Sequence, residues 1–198
     1  MADAQPVITP MQLMTDELLL RPYQPDDAPA LCEAVRESIV SVGRWLPWCH
    51  AGYSEADASL WIAHCVHTWS RGDQYTFAIY DATGRQFLGA IGLSQRNREH
   101  NFAGIGYWTR ESARGSGIAA RAGRLIAGFG FDTVKLTRIE ILAATDNQAS
   151  RRTAENIGGR LEGIARNRLI TPHGVVDAAM YGLTPSDYAD AQIRTMSS

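Results

Sequence analysis

The 198-residue chain has few cysteines, no long apolar run and no excess of either charge. Cys32, Cys49 and Cys65 are odd in number and lack paired metal spacing. That argues against a disulfide framework and makes a reducing cytoplasm the expected setting. No stretch approaches the roughly 20 apolar residues that span a bilayer. The N-terminus has an early Asp3 and no basic start, so it does not read as a secretory signal. With 19 basic against 21 acidic residues, net −2, no overall field draws in nucleic acid or an anionic membrane. Neither is expected as a partner. What remains is 45% hydrophobic and 20% charged, the composition of a globular protein. Residues 1–198 suit one domain with a substantial core, about 17–185.

The pattern along the chain is mixed α/β. Residues 1–16 read as an irregular lead-in, and Glu17–Tyr23 as a short strand ended by prolines. A helix capped by Asp26 or Asp27 is expected to about Val40, then a loop over Gly43–Gly52. Ser54 and Asp57 resemble a capping box opening a helix to about Ser70, with Ala58, Trp61, Ile62, Cys65, Val66 and Trp69 on one side. Gln74–Asp81 and Gln86–Ser94 suit a hairpin, and Phe102–Thr109 a further strand. Its Gly104 and Gly106 suggest a bulge, a close backbone approach, or simply a crowded neighbour. A helix over Gly117–Phe131, a strand over Arg138–Ala144, a helix over Asn147–Ile157 and strands near Gly159–Leu169 and Val175–Leu183 complete the expectation.

The most informative segment joins a strand to a helix: Arg114-Gly115-Ser116-Gly117-Ile118-Ala119. A helix start leaves amide N–H groups unpaired and carries partial positive charge, which suits phosphate oxygens. Glycines at 115 and 117 let the main chain approach a ligand, and Arg114, Arg121 and Arg124 add charge. The same residues also suit a plain helix start with solvated arginines. No GxxxxGK[ST] occurs, and the Rossmann GxGxxG is missing here. His64 and His67 lie one helical turn apart, but with no third ligand a metal site is not expected.

R-G-S-G-I-A at 114–119 resembles the [Q/R]-x-x-G-x-[G/A] loop of the GNAT N-acetyltransferases. The preceding I-G-Y-W and following N-Q-A-S look like the RimJ/RimL branch, as do LLLRPY, WLPW, LEG and DAAMYGL in order. The resemblance spans nearly the whole chain. It implies a mixed, mostly antiparallel sheet flanked by helices, with strands Phe102–Thr109 and Arg138–Ala144 splayed around coenzyme A. The loop residues Arg114–Ala119 would hold the pyrophosphate, and Arg151 and Arg152 could join them. Tyr107, Trp108 and Thr109 would meet the pantetheine with Asn147, itself a good N-cap without any ligand. Ser150 would protonate the leaving thiolate. Trp45, Trp48 and His50 would border the acceptor, with Tyr75 shared between pocket and core.

The general base departs from the family pattern. The strand position that often carries Glu is Gly104, and the alternative acid site after L-E-G falls on Leu169. Glu99 or His100 at the strand entrance, or water, would then accept the proton, with Asp146 and Glu162 less marked candidates. The resemblance thus implies an acetyl-CoA-dependent transferase acting by direct attack, without metal, on a protein N-terminus, a polyamine or an amine-bearing antibiotic. Other acyl groups remain open, and a homodimer is expected by analogy. The missing carboxylates also suit a non-catalytic coenzyme A-binding sensor, and a nucleotide-phosphate protein is a third reading.

Overall fold

The computed structural model of the chain describes residues 8–196. Among these, eight strands form one sheet in the order β1-β2-β3-β4-β5-β6-β8-β7. They are β1 Leu13–Met14, β2 Leu18–Pro22, β3 Tyr75–Asp81, β4 Phe87–Asn97, β5 Phe102–Thr109, β6 Arg138–Ala144, β7 Arg160–Thr171 and β8 Gly174–Leu183. Every neighbouring pair is antiparallel except β5–β6. The helices are α1 Ala28–Glu37, α2 Glu55–Ser70, α3 Ile118–Gly128, α4 Gln148–Ile157 and α5 Pro185–Met196. None of the described helices is long and apolar enough to cross a membrane.

Strand alternation puts a core on each face of the sheet. Phe77 and Ile79 of β3 join residues of α3 and α4, such as Ile126 and Ile157, on one side. Ala78 and Tyr80 join α1 and α2, through Leu31, Val35, Ile62 and Cys65, on the other. Ser54 caps α2: its Oγ accepts from the Asp57 amide, and Asp57 Oδ2 accepts from the Ser54 amide at 2.9 Å. Only Ala58, Ile62, Cys65 and Trp69 of α2 are buried; Trp61 and Val66, expected beside them, are exposed. Their positions fall on the shoulders of the buried stripe.

Three further expectations are corrected. The lead-in is not irregular throughout, because Leu13–Met14 pairs with Leu19 and Leu20; residues 1–7 lie outside the described part. The irregularity expected in β5 sits in β4, where the register shifts between Ser94 and Asn97 and Gln95 takes a φ of 52°. Crowding does not explain the β5 glycines, since a methyl at Gly106 would meet nothing within 4 Å. The chain also continues into α5, which the sequence reading did not include. Thr184 and Asp187 bond reciprocally at its start, and Pro185 occupies the first turn.

A buried ion pair fixes α1 to the sheet. Arg21 of β2 grips Asp27 at 2.8 and 2.6 Å, while the Tyr80 hydroxyl and Gln24 amide donate to the same carboxylate at 2.6 and 2.7 Å. Burial disfavours the Asp27 anion, but these four donors outweigh it and hold the carboxyl below its usual range. Asp27→Asn should therefore destabilise the fold by about 3–5 kcal/mol at neutral pH, because Arg21 is left buried and uncompensated. A depressed carboxyl contributes stability above its unfolded value and loses it as the pH falls through the folded one. The gap between wild type and variant in urea melts should narrow below about pH 4; a gap independent of pH would contradict the ion-pair account.

Candidate active site

The strands at the centre of the sheet separate midway. β5 and β6 pair in parallel only from Phe102↔Arg138 to Ile105↔Ile141. Beyond that point β5 stays paired with β4, from Gly106↔Gly92 to Thr109↔Gly89, and β6 stays paired with β8, from Leu142↔Met180 to Ala144↔Ala178. Each strand is held by its outer neighbour and not by the other. A cleft of about 1250 Å³ occupies this gap, lined by Gly106–Thr109 and Leu142–Ala144 and open to both faces of the sheet.

On the α3 side, the cleft reaches the glycine loop. Gly115 and Gly117 adopt φ of 76° and 75°, and Gly117 caps α3 with no side chain to occupy the first amides. Among the described residues, no acceptor meets the amides of Gly115 to Ala120. Ser116 tightens the loop by donating its hydroxyl to the Ala113 carbonyl at 2.7 Å. Arg110 anchors its approach, bonding Glu33, Glu37 and the Phe87 carbonyl, while Glu37 accepts from the Ser112 amide at 2.5 Å. The Arg110 guanidinium holds the Glu37 carboxyl down to about 2. Gly115 and Gly117 to Ala120 line the cleft, and their unpaired amides suit anionic oxygens.

The arginines divide. Arg114 lines the cleft and makes only an exposed pair with Glu111 at 3.3 Å, which a ligand can displace. Arg121 instead bonds the Ser116 carbonyl and Glu17, and Arg124 the Asn156 carbonyl, so both brace the loop and helix. Arg152 lines the cleft, whereas Arg151 turns to Tyr181 at 3.2 Å.

Within the cleft, α4 meets β5. Asn147 caps α4 by accepting from the Ser150 amide at 3.1 Å. The Tyr107 hydroxyl lies 2.9 Å from the Ser150 carbonyl and 3.0 Å from Ser150 Oγ. Burial pushes the Tyr107 phenol up to about 12, against the opposing hydrogen bond to Ser150, so it is a proton donor at neutral pH. The sequence reading placed Tyr107 only as a pantetheine contact and did not connect its hydroxyl with Ser150. These residues lie 43 positions apart, and the parting of β5 and β6 brings them together.

The other wall comes from the Trp45–Tyr53 loop, α2 and β7. Trp45, Trp48 and His50 line the cleft, with Trp48 edge-on to Trp108 at 5.5 Å between centroids. Tyr75 does not reach it; it packs in the core against Trp69 and Phe129. Asp57, Leu60, Trp61 and His64 form a stripe on α2 that the sequence reading missed, although its i, i+3, i+4, i+7 spacing was visible. Leu169 also lines the cleft, so the position after L-E-G reaches the site and presents an apolar group there. Glu99 and His100 lie in the exposed turn between β4 and β5 and do not line the cleft. Glu162 pairs with Arg138, and Asp146 borders a smaller depression beside Asn147.

The chain is similar to known proteins in both sequence and fold. A family model described as an acetyltransferase (GNAT) domain matches residues 17–160. The Bacillus subtilis protein named "Putative ribosomal N-acetyltransferase YdaF" is 28% identical over 182 residues, covering 88% of this chain and 95% of that protein. The Mycobacterium smegmatis RimJ structure, in complex with CoA-disulfide, superposes with a TM-score of 0.84 at 22% identity, covering 96% of this chain and 95% of that one. RimL, described as the ribosomal L7/L12 alpha-N-protein acetyltransferase in complex with coenzyme A, gives 0.79 at 22%, covering 88% and 98%. At those identities the two structures speak to the fold, while the family model spans most of the sheet and the loop; the chain belongs to the GNAT acetyltransferase family.

Proposed function

We propose that this acetyltransferase moves the acetyl group of acetyl-CoA directly to a primary amine, either a protein N-terminus or a small molecule. The observation that carries the reading is the Tyr107–Ser150 hydroxyl pair, standing at the parting of β5 and β6 beside unpaired loop amides. Coenzyme A supplies the activated thioester. The amides of Gly117 to Ala120 and the Arg114 side chain bind its diphosphate, and the free edges of Gly106–Thr109 and Leu142–Ala144 accept an extended amide chain as an added strand would. Gly106 leaves room for it.

In the transfer, the amine lone pair forms a C–N bond with the acyl carbon, the C–S bond breaks, and sulfur leaves with its electron pair. Ser150 gives its hydroxyl proton to that sulfur, and the Tyr107 hydroxyl, which in the resting site donates to the Ser150 carbonyl, turns to give its proton to Ser150 Oγ. The amine must also lose a proton. Of the cleft-lining residues, the groups able to take it are Asp57, His50 and His64, directly or through water. Hydrogen bonds from Ser54 hold the Asp57 carboxyl below its usual range, so it is ionised at neutral pH. Glu99 and His100 take no part in this reading.

A second reading is coenzyme A binding without turnover. It is favoured by the apolar Leu169 and by Gly104, where carboxylates would otherwise serve. Free-thiol release from acetyl-CoA across an amine panel separates the two: release supports transfer, and binding without release supports the second.

Two predictions follow from the site. Gly117→Ala forces a side chain into a left-handed backbone and turns the loop amides, at a cost of roughly 1–2 kcal/mol. Calorimetry should find coenzyme A bound about tenfold more weakly, with the circular dichroism spectrum unchanged. Ser150→Ala should lower kcat by about 10²-fold with little effect on the KM for acetyl-CoA. Adding Tyr107→Phe should cost little more, because the two hydroxyls act as a unit. Fully additive losses in steady-state kinetics would show that they act separately.

A further inference from the structure

The cleft is charged differently on its two sides. Its arginines, Arg114 and Arg152, stand at the starts of α3 and α4, on the face that the loop amides share. The opposite wall holds no arginine or lysine among the described residues, and its ionisable groups are Asp57, His50 and His64. Apolar surface concentrates there as well. Leu60 is 71% exposed, Ile170 74%, Trp48 39% and Trp61 37%, and all four line the cleft.

Leu60 and Ile170 are too exposed for packing to explain their type, while Trp48 also packs edge-on to Trp108 and Trp61 also reaches the buried Tyr23. The buried face of α2 is complete with Ala58, Ile62, Cys65 and Trp69, so Leu60 and Trp61 form a second apolar stripe facing the cleft. Trp61 stacks on His64 at 5.4 Å, which holds the indole as a flat wall. Across from it, β7 contributes Leu169 and Ile170. Polar or acidic acceptor groups would lose water against Leu60, Trp61 and Ile170, whereas an aromatic or branched group would cover that apolar surface. Asp57, one helical turn before Leu60 and Trp61, adds a negative charge for an ammonium group.

From this, and resting on the transfer reading above, we infer that the acceptor is a primary amine carrying an aromatic or branched apolar group within a few bonds of the nitrogen. The chamber between α2 and β7 sets specificity, with Leu60, Trp61 and Ile170 as its contacts. An arylalkylamine and a peptide beginning with Phe or Leu share this chemistry.

The test compares kcat/KM with acetyl-CoA for phenylethylamine, ethanolamine and tripeptides beginning with Phe, Leu, Ser or Asp. The apolar acceptors should lead the polar ones by about 10- to 100-fold, as burial of one large side chain implies, and the lead should appear mainly in KM. Whichever arm leads, small amine or peptide, identifies the source. In Trp61→Ala and Ile170→Ala the ratio of apolar to polar kcat/KM should fall about tenfold, and Trp61→Phe should restore most of it. Equal or better use of ethanolamine or the Asp peptide, or a ratio unmoved by these variants, would overturn the acceptor class while leaving acetyl transfer standing. Coenzyme A binding with no thiol release from any amine would overturn the transfer reading itself, and this inference with it.

Discussion

Four residues of parallel pairing between β5 and β6 determine much of what the molecule can do. A sheet satisfies its own backbone, and a sheet that opens must leave groups unpaired or hand them to a ligand. Here both strands remain stiff past the opening because β4 and β8 hold their outer edges. The gap is therefore a fixed slot. It joins the face where α3 begins to the face where α1 and α2 pack.

The surroundings serve that slot. Arg110 binds Glu33 and Glu37 of α1, so the segment entering the glycine loop is tied to the opposite helical layer. Arg121 closes onto the loop's own Ser116 carbonyl. The amides are thus positioned in advance, and binding an anion there requires little ordering. Tyr107 gains a similar benefit from α4, whose N-cap at Asn147 sets the backbone that carries Ser150.

Much of this was legible in the sequence because it is local. R-G-S-G-I-A at 114–119 announces a helix start with free amides, and the Ser54–Asp57 capping box was read correctly. Local signals also went unread. Thr184 and Asp187 repeat that box with a proline between them, yet α5 was not expected. Other features are not local at all. The bonding of Tyr107 to Ser150 depends on where two strands part, and the burial of Tyr75 on the packing of Trp69 and Phe129, which no short window contains. Glu99 and His100 were candidates through nearness in sequence to β5, but strand direction carries them to the end away from the gap.

The helix α2 has two apolar stripes that share no residue. Ala58, Ile62, Cys65 and Trp69 hold it to the sheet, Leu60 is 71% exposed on the cleft side, and Trp61 sits on the shoulder between the two. On the acceptor reading, folding and recognition would fall on different faces of one cylinder and meet at Trp61. On that reading, substitutions at the exposed Leu60 would retune which molecules are modified while the scaffold keeps its melting behaviour, so a lineage could diversify its targets without first acquiring spare stability.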